Sequence, residues 1–284
     1  MVTLRQALQS ARLTLGELPH SDPELEAALL LCHLLGKPRS HLFAWPEATL
    51  TADMQQAYAT LIKRRRNGAP IAYITGEREF WSLTLRVTPD TLIPRPETEL
   101  LVERSLHHLR QRPDPLVADL GAGSGAIALA LASERPDARI HAGDRSAEAL
   151  AVAGENAARL GFTQVSLFRG NWCEALPTEN RYDLIACNPP YIETGDPHLS
   201  RGDLPNEPAS ALVSGSDGLA DIRVIIQQAG GRLKKGGWLL LEHGYRQAPK
   251  VQQLLRAAGL SDISTHRDLS GHPRLTESRL AEYY

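Results

Sequence analysis

The chain is short of cysteine, of aromatic residues and of net charge, and each shortage removes a class of answers. Three cysteines in 284 residues, Cys32, Cys173 and Cys187, are too few and too scattered for a disulfide framework or a thiolate metal site. All three lie in or beside apolar stretches, as buried thiols in a reducing compartment do. Lysine and arginine (31) nearly balance aspartate and glutamate (33), and a formal charge of −2 does not suit a protein that coats nucleic acid by charge. No apolar run reaches the ~18 to 20 residues of a membrane span. The opening MVTLRQALQSARLTLGEL lacks the apolar core of a signal peptide. No repeat or low-complexity tract occurs. His266 and His272 lack metal-ligand spacing and no H-E-x-x-H is present, so no metal is expected. These absences point to a soluble, cytoplasmic protein, and a monomer is expected. Its 42% hydrophobic and 23% charged residues are ordinary for a globular chain.

What is present changes period along the chain. Residues 1–70 read as helices only. Leu4, Ala7, Leu8, Ala11 and Leu15 recur at amphipathic spacing. SDPELEAALLLCHLLG carries Ser21 or Asp22 as N-cap, Pro23 in the first turn and Gly36 past the end. TADMQQAYATLIKRRRNG presents Met54, Ala57, Tyr58, Leu61 and Ile62 on one face and stops at Asn67-Gly68. Short helices need partners, so a small bundle is expected. In residues 71–90 the period becomes two: Trp81, Leu83, Leu85 and Val87 alternate, and with PIAYITGE before them they predict a β-hairpin linker.

Residues 91–284 alternate strand and helix, from PLVADL, GAIALALASE, ARIHAGD and AEALAVAGENAARLG to VSLFRG, YDLIAC, GLADIRVIIQQAGGRL, GWLLLEH and QAPKVQQLLRAAG. Ahead of them, TLIPRPETELLVERSLHHL reads as a helix with prolines at its entry and His107-His108 at its solvated end. Two further strands close the chain as an antiparallel edge. The pattern predicts an α/β fold, a mostly parallel sheet with helices on both faces, binding ligands beyond the carboxyl ends of its strands.

The first such end is VADLGAGSGAIALALA, where Gly121, Gly123 and Gly125 carry a strand into a helix. The spacing is G-x-G-x-G after acidic Asp119, not the nicotinamide fingerprint. A carboxylate there suits the amino group of an amino-acid-like ligand and repels a pyrophosphate, which points to S-adenosylmethionine. Asp144, ending the second strand, is placed to accept the ribose hydroxyls. Asn171 and Trp172, after the third, are placed at the adenine.

The fourth strand, LIACNPPYIET, runs into two prolines, which have no N–H to give a ladder. A turn built this way offers acceptors and few donors. The Asn188 side-chain oxygen and the Pro189 carbonyl can take both hydrogens of a planar –NH₂ and aim its nitrogen at a sulfonium methyl, with Tyr191 against the flat group. Proline pairs also close strands for purely structural reasons.

Over nearly its full length the chain resembles the bacterial release-factor glutamine methyltransferases, the HemK family. The resemblance rests on RRRNGAPIAYITGEREFWSL, TLIPRPETELLVE, DLGAGSGAIALALASERPDARI, NPPYIE, EPASAL and LLLEHG. The segment from Arg64 to Glu103 lies outside the general methyltransferase core and is the specific part. The resemblance implies a Rossmann-like S-adenosylmethionine-dependent methyltransferase sheet with a small helical N-terminal domain that docks the protein substrate. It implies N5 methylation of the glutamine in the Gly-Gly-Gln tip of class-1 peptide chain release factors, with S-adenosyl-L-homocysteine as product. By matching position, Gly121, Ala122, Gly123, Ser124, Gly125, Asp144 and Trp172, together with Asp119, would hold the cofactor. Asn188 would serve both sites, Pro189, Pro190 and Tyr191 the glutamine, and Phe80 would wall its pocket. The sequence departs from the family at TESR, where Ser278 replaces a glycine and bears on the turn of the last hairpin.

A nucleic-acid base N-methyltransferase would share the Asn-Pro-Pro-Tyr turn. Lys63 to Arg66 read more simply as cations at a helix C-terminus, and no base-flipping element is evident. A catalytically silent S-adenosylmethionine-binding adaptor would be expected to have lost the turn. Glu242-His243 reads as a structural strand end.

Overall fold

The computed structural model, which describes residues 2–18 and 22–282, divides the chain by its contacts into two units. One is Met1–Glu77 with Pro197–Asn206, and the other is Arg78–Asp196 with Glu207–Tyr284.

The first unit is helical because its caps and apolar spacing agree. It contains β1 (Val2–Thr3), α1 (Leu4–Leu15), α2 (Pro23–Leu35), α3 (Arg39–Ala44), β2 (Thr49–Leu50), α4 (Ala52–Arg66) and α5 (Ile71–Thr75). Thr3 and Gln6 form a reciprocal capping box on α1, Asp22 caps α2, and Gly36 ends it in the left-handed region. Ser21, the other candidate cap, lies outside the described residues. Leu4, Leu15, Leu30, Leu31, Tyr58 and Ile62 make the core, while Met54 stays on the surface. One detail departs from an all-helical reading, the antiparallel pair of β1 and β2; α3 adds a short helix that was not singled out. The basic run at the end of α4 also divides. Lys63 and Arg64 are exposed, whereas Arg65 is buried, with Nε and Nη2 on the Glu26 carboxylate at 2.9 and 2.8 Å and Nη1 on Asp203 at 2.6 Å. Such a bidentate pair is directional in a way that a surface charge is not.

PIAYITGE, expected as a strand, is instead a single helical turn set by Pro70 at its start and left-handed Gly76 at its end. The hairpin is shorter, β3 (Glu77–Phe80) and β4 (Leu83–Arg86). Trp81 was expected within a strand; with Ser82 it makes the turn, at φ 51° and 58°, the double left-handed geometry that matches strand twist.

The second unit continues with α6 (Glu99–Leu109), β5 (Leu116–Leu120), α7 (Ala126–Glu134), β6 (Arg139–Asp144), α8 (Ala147–Leu160), β7 (Val165–Arg169) and β8 (Tyr182–Cys187). It ends with α9 (Ala220–Ala229), β9 (Leu233–Glu242), α10 (Ala248–Ala257), β10 (Ser261–Arg267) and β11 (Pro273–Arg279). The sheet order is β10-β11-β9-β8-β5-β6-β7. The five strands from β5 to β9 run parallel, and β11 and β10 close one edge antiparallel, as the alternation predicted. Residues Gly230–Leu233, read as helix, belong to the turn and the start of β9.

Alternation sorts the side chains onto two faces. Leu116, Ala118, Leu120, Ile185 and Cys187 enter one core and Val117, Leu184, Ala186 and Leu240 the other. The same parity sends Asp119, Asn188 and Glu242, on the adjacent strands β5, β8 and β9, to the face covered by α6 and α7. His108 is not solvated: its ring stacks on Trp238 at 3.7 Å and its Nε2 meets Glu277 at 3.0 Å. Ser278 lies within β11, paired with Leu239, and not in a turn. Cys173 and Cys187 are buried thiols, and Cys32 is half-buried. Among the described residues no helix is long and apolar enough to cross a membrane, and no cluster of metal-binding side chains occurs.

Candidate functional site

A cleft lies where β5, β6, β7 and β8 end, lined by Gly121, Gly123, Asp144, Trp172, Asn188 and Pro190 among others. It is built first from backbone. Gly121 and Gly123 have φ of 78° and 54°, a region costly for side chains. A Cβ on Gly121 would stand 3.3 Å from the Trp172 ring, while nothing lies within 4 Å of where one would go on Gly123. The N–H groups of Gly121 and Ala122 both reach the Gly143 carbonyl, at 2.8 and 3.0 Å. From behind, the Ser124 carbonyl accepts Asn156 Nδ2–H at 2.9 Å, and Asn156 also bonds both backbone groups of Arg86 in β4.

Two carboxyls serve this end. Asp144 Oδ2 accepts the Gly123 N–H and Oδ1 the Ser146 N–H, each at 2.9 Å. Each oxygen keeps a second lone pair for a hydroxyl. Asp119 lies beneath the turn, fully buried. Its Oδ2 accepts the Ala128 N–H of α7 at 3.0 Å, and its Oδ1 has no partner among the described residues. Burial pushes its pKa up to about 7, the Ala128 hydrogen bond opposing and the nearby Asp144 charge adding to the rise. A buried carboxylate oxygen without a donor costs roughly 1–3 kcal/mol or more. The ammonium of an amino-acid-like ligand is the kind of donor it lacks, so the residues fit S-adenosylmethionine.

The corner around Asn188 is built from side chains. The last ladder pairs of β8 are Leu120–Cys187 and Cys187–Leu241. Pro189 and Pro190 stand beyond them, where no ladder N–H is needed. Asn188 Nδ2–H donates to Thr98 Oγ1 at 3.0 Å, and Thr98 donates to Glu242 Oε2 at 2.7 Å. Tyr191 O–H reaches Glu242 Oε1 at a long 3.4 Å. Glu242 is 2% exposed. Burial lifts its pKa to about 7 against the lowering effects of Thr98, Arg274 and Tyr191. Burial, and then the Glu242 charge, raise the Tyr191 phenol. Gln247 Nε2–H holds the Tyr191 carbonyl at 3.0 Å.

Two outlying segments frame the cleft. Asp90, Thr91 and Leu92 come from before α6, and Pro208, Ser210 and Ala211 from the stretch after Glu207. Glu207 joins them: 6% exposed, it accepts the Ile93 N–H at 3.1 Å and pairs with Arg95. The segments LIPRPETE and EPASAL therefore meet in one ion pair whose carboxylate is buried.

The expected residues do not all face the cleft. Gly121, Gly123, Asp144, Trp172, Asn188 and Pro190 do, with Asn171 beside Trp172. Asp119, Ala122 and Ser124 lie behind the turn, and Gly125 caps α7 at φ 85°. Pro189 is buried at the corner and Tyr191 half-buried. Phe80 is 2% exposed in the core cluster with Leu85, Leu101 and Val102 and does not line the cleft. Thr98, Arg95 and Glu207 were not singled out, and Glu242 was read as structural. The available signal was charge within apolar surroundings, as in LLLEHG.

Residues 6–76 match the family model described as PrmC N-terminal domain, and residues 97–202 the one described as methyltransferase small domain. The chain is 49% identical to release factor glutamine methyltransferase of Vibrio cholerae serotype O1, over 97% of this chain and 96% of that protein. It is 45% identical to the protein of the same name from Escherichia coli strain K12, over 99% and 98%. The solved structure of 16S rRNA N2 G1207 methyltransferase of T. thermophilus, in complex with AdoMet and guanosine, matches with a TM-score of 0.54. It does so at 20% identity over 72% of this chain and 49% of that one, a likeness of fold alone.

Proposed function

The chain belongs to the release factor glutamine methyltransferase family, and on that premise we propose that it methylates the side-chain amide nitrogen of a release-factor glutamine, using S-adenosylmethionine. The finer reading is N5 of the glutamine in the Gly-Gly-Gln tip of class-1 factors, with the helical unit docking the protein substrate, in the cytoplasm and as a monomer.

When bound, S-adenosylmethionine supplies a methyl group on positively charged sulfur. Asp119 and the Gly121–Gly125 turn hold its amino-acid end, Asp144 the ribose, and Trp172 with Asn171 the adenine. The amide nitrogen of glutamine is a weak nucleophile because its lone pair is delocalised. Asn188 Oδ1 and the Pro189 carbonyl accept its two hydrogens, which draws density onto nitrogen and fixes its direction. Tyr191 covers the flat amide. The amide nitrogen would take the methyl as the sulfur–methyl bond breaks, and would then give up one proton to solvent.

The observation that carries this reading is Asn188 at the mouth of the cleft with its –NH₂ committed to Thr98, so that its oxygen is the end left for a ligand. Purified protein incubated with labelled cofactor and a release factor should place the label on one glutamine in the digest. Label appearing only in DNA or RNA supplied alongside would overturn the proposal. Tight cofactor binding with no turnover on any release factor would leave the adaptor.

A further inference from the structure

Glu242 is a buried carboxyl that does not line the cleft, yet two side chains, Thr98 and Tyr191, connect it to the reacting corner. Thr98 is 4% exposed and has a single hydroxyl hydrogen, given to Glu242 at 2.7 Å. With Glu242 ionised that hydrogen is spent, and Thr98 offers Asn188 only lone pairs. The end of the Asn188 amide that meets it must then be –NH₂, at 3.0 Å, and the oxygen must be the other end. The two ends of an asparagine amide are nearly the same size, so packing alone does not choose between them. Reversed, the amide would present a donor to a substrate group that itself has only donors to offer.

We propose that Thr98 and Glu242 are positioning residues for methyl transfer: through one shared hydroxyl they set which end of Asn188 faces the substrate amide. The inference rests on the reading that Asn188 grips that amide. Glu242 closes the chain because it accepts from both sides, Thr98 on Oε2 and Tyr191 on Oε1, so one carboxyl orders both polar side chains of the corner. Pro189 and Pro190 have no N–H that could hold the Asn188 oxygen instead.

The test measures turnover of the full chain with S-adenosylmethionine and a purified release factor, and cofactor affinity by calorimetry. Thr98→Val, equal in shape, leaves the Asn188 –NH₂ without an acceptor and removes the preference for one amide orientation. It should cut kcat about ten-fold or more, with cofactor Kd within about two-fold and the melting temperature lowered by only about a few degrees. Thr98→Ser should restore most of kcat. Glu242→Leu should lose activity and Glu242→Gln, which keeps an acceptor oxygen, should recover it. In an Asn188→Ala background, Thr98→Val should cost little more, since the group it acts through is gone. An equal kcat loss in both backgrounds, or full activity of Thr98→Val, would overturn the proposal. An inactive parent protein would instead count against the reading of the site itself.

Discussion

The two strands that flank β8 each carry a buried carboxyl near the carboxyl end, Asp119 on β5 and Glu242 on β9. Strand parity puts both on the same face as Asn188, and burial lifts both to a pKa of about 7. They differ in what meets them. Glu242 has a partner on each oxygen, from Thr98 and Tyr191. Asp119 has the Ala128 N–H on one oxygen and nothing on the other. A carboxyl whose bonds are complete within the chain can transmit orientation and has little left to bind. One left incomplete is strained until a donor arrives. The degree of hydrogen-bond satisfaction, more than burial or pKa, separates the positioning side of this site from the binding side.

The largest test of that division is Asn188→Ala. Loss of the oriented oxygen should cut methyl transfer ~100-fold or more, while calorimetric affinity for S-adenosylmethionine stays mostly intact. A parallel fall in both would merge the two sides. Asp144→Ala should do the reverse. Cofactor affinity should fall about ten-fold or more, the scale of charge-assisted hydrogen bonds to two hydroxyls, and kcat at saturating cofactor should change little. Part of that loss will come through the turn, because Asp144 also holds the Gly123 and Ser146 N–H groups.

The same contrast explains what was legible beforehand. The binding side is a run of neighbours in sequence: three glycines and an acid at a strand end, then Asp144 at the next. Local spacing shows it because local backbone makes it. The parallel strands and most helices were legible for the same reason, as periods and caps are local. The positioning side joins Thr98, Asn188 and Glu242, which meet only after β9 and β8 are neighbours and α6 lies across them. No spacing encodes that. Glu207 and Arg95 are a second such case. The local errors have local causes: Pro70 and Gly76 enclose a helical turn in a stretch whose composition suits a strand, and Trp81 turns a hairpin in a conformation unusual for its type.

A smaller effect follows from the orphaned oxygen of Asp119. Its pKa is about 7 in the folded chain against an ordinary 3.8. Between those values the folded state holds a proton that the unfolded state has lost. Without cofactor, its contribution therefore falls as pH rises from about 4 to about 7, opposite to a salt-bridged carboxylate. Asp119→Asn does not titrate. Its stability relative to the parent should improve from pH 5 to pH 8 by on the order of 1 kcal/mol per pH unit at most, read as urea midpoints. Saturating S-adenosylmethionine should reverse the order at pH 8, because an ammonium partner favours the ionised parent. If cofactor leaves the order unchanged, Asp119 does not face the amino group and belongs with Glu242 as an internal bond.

The smallest effect carries the distinction between satisfied and orphaned groups to β11, away from the chemistry. Thr276 and Ser278 point to the same side of that strand and both are fully buried. Thr276 Oγ1 meets His243 Nε2 and Thr265 Oγ1, each at 2.8 Å. Ser278 Oγ meets nothing among the described residues. Glycine, the residue expected there from the resemblance, would remove the hydroxyl but loosen a strand interior. Ser278→Ala removes the unpaired hydroxyl and keeps the Cβ. It should stabilise the chain by roughly 1 kcal/mol, read as a higher urea midpoint at unchanged slope, with methyl transfer unaltered. Thr276→Val should destabilise by a similar amount, since it strands the His243 ring nitrogen. If Ser278→Ala also destabilises, the hydroxyl has a partner after all, and an unmet group in this fold ceases to mark either a vacancy for ligand or a cost to the chain.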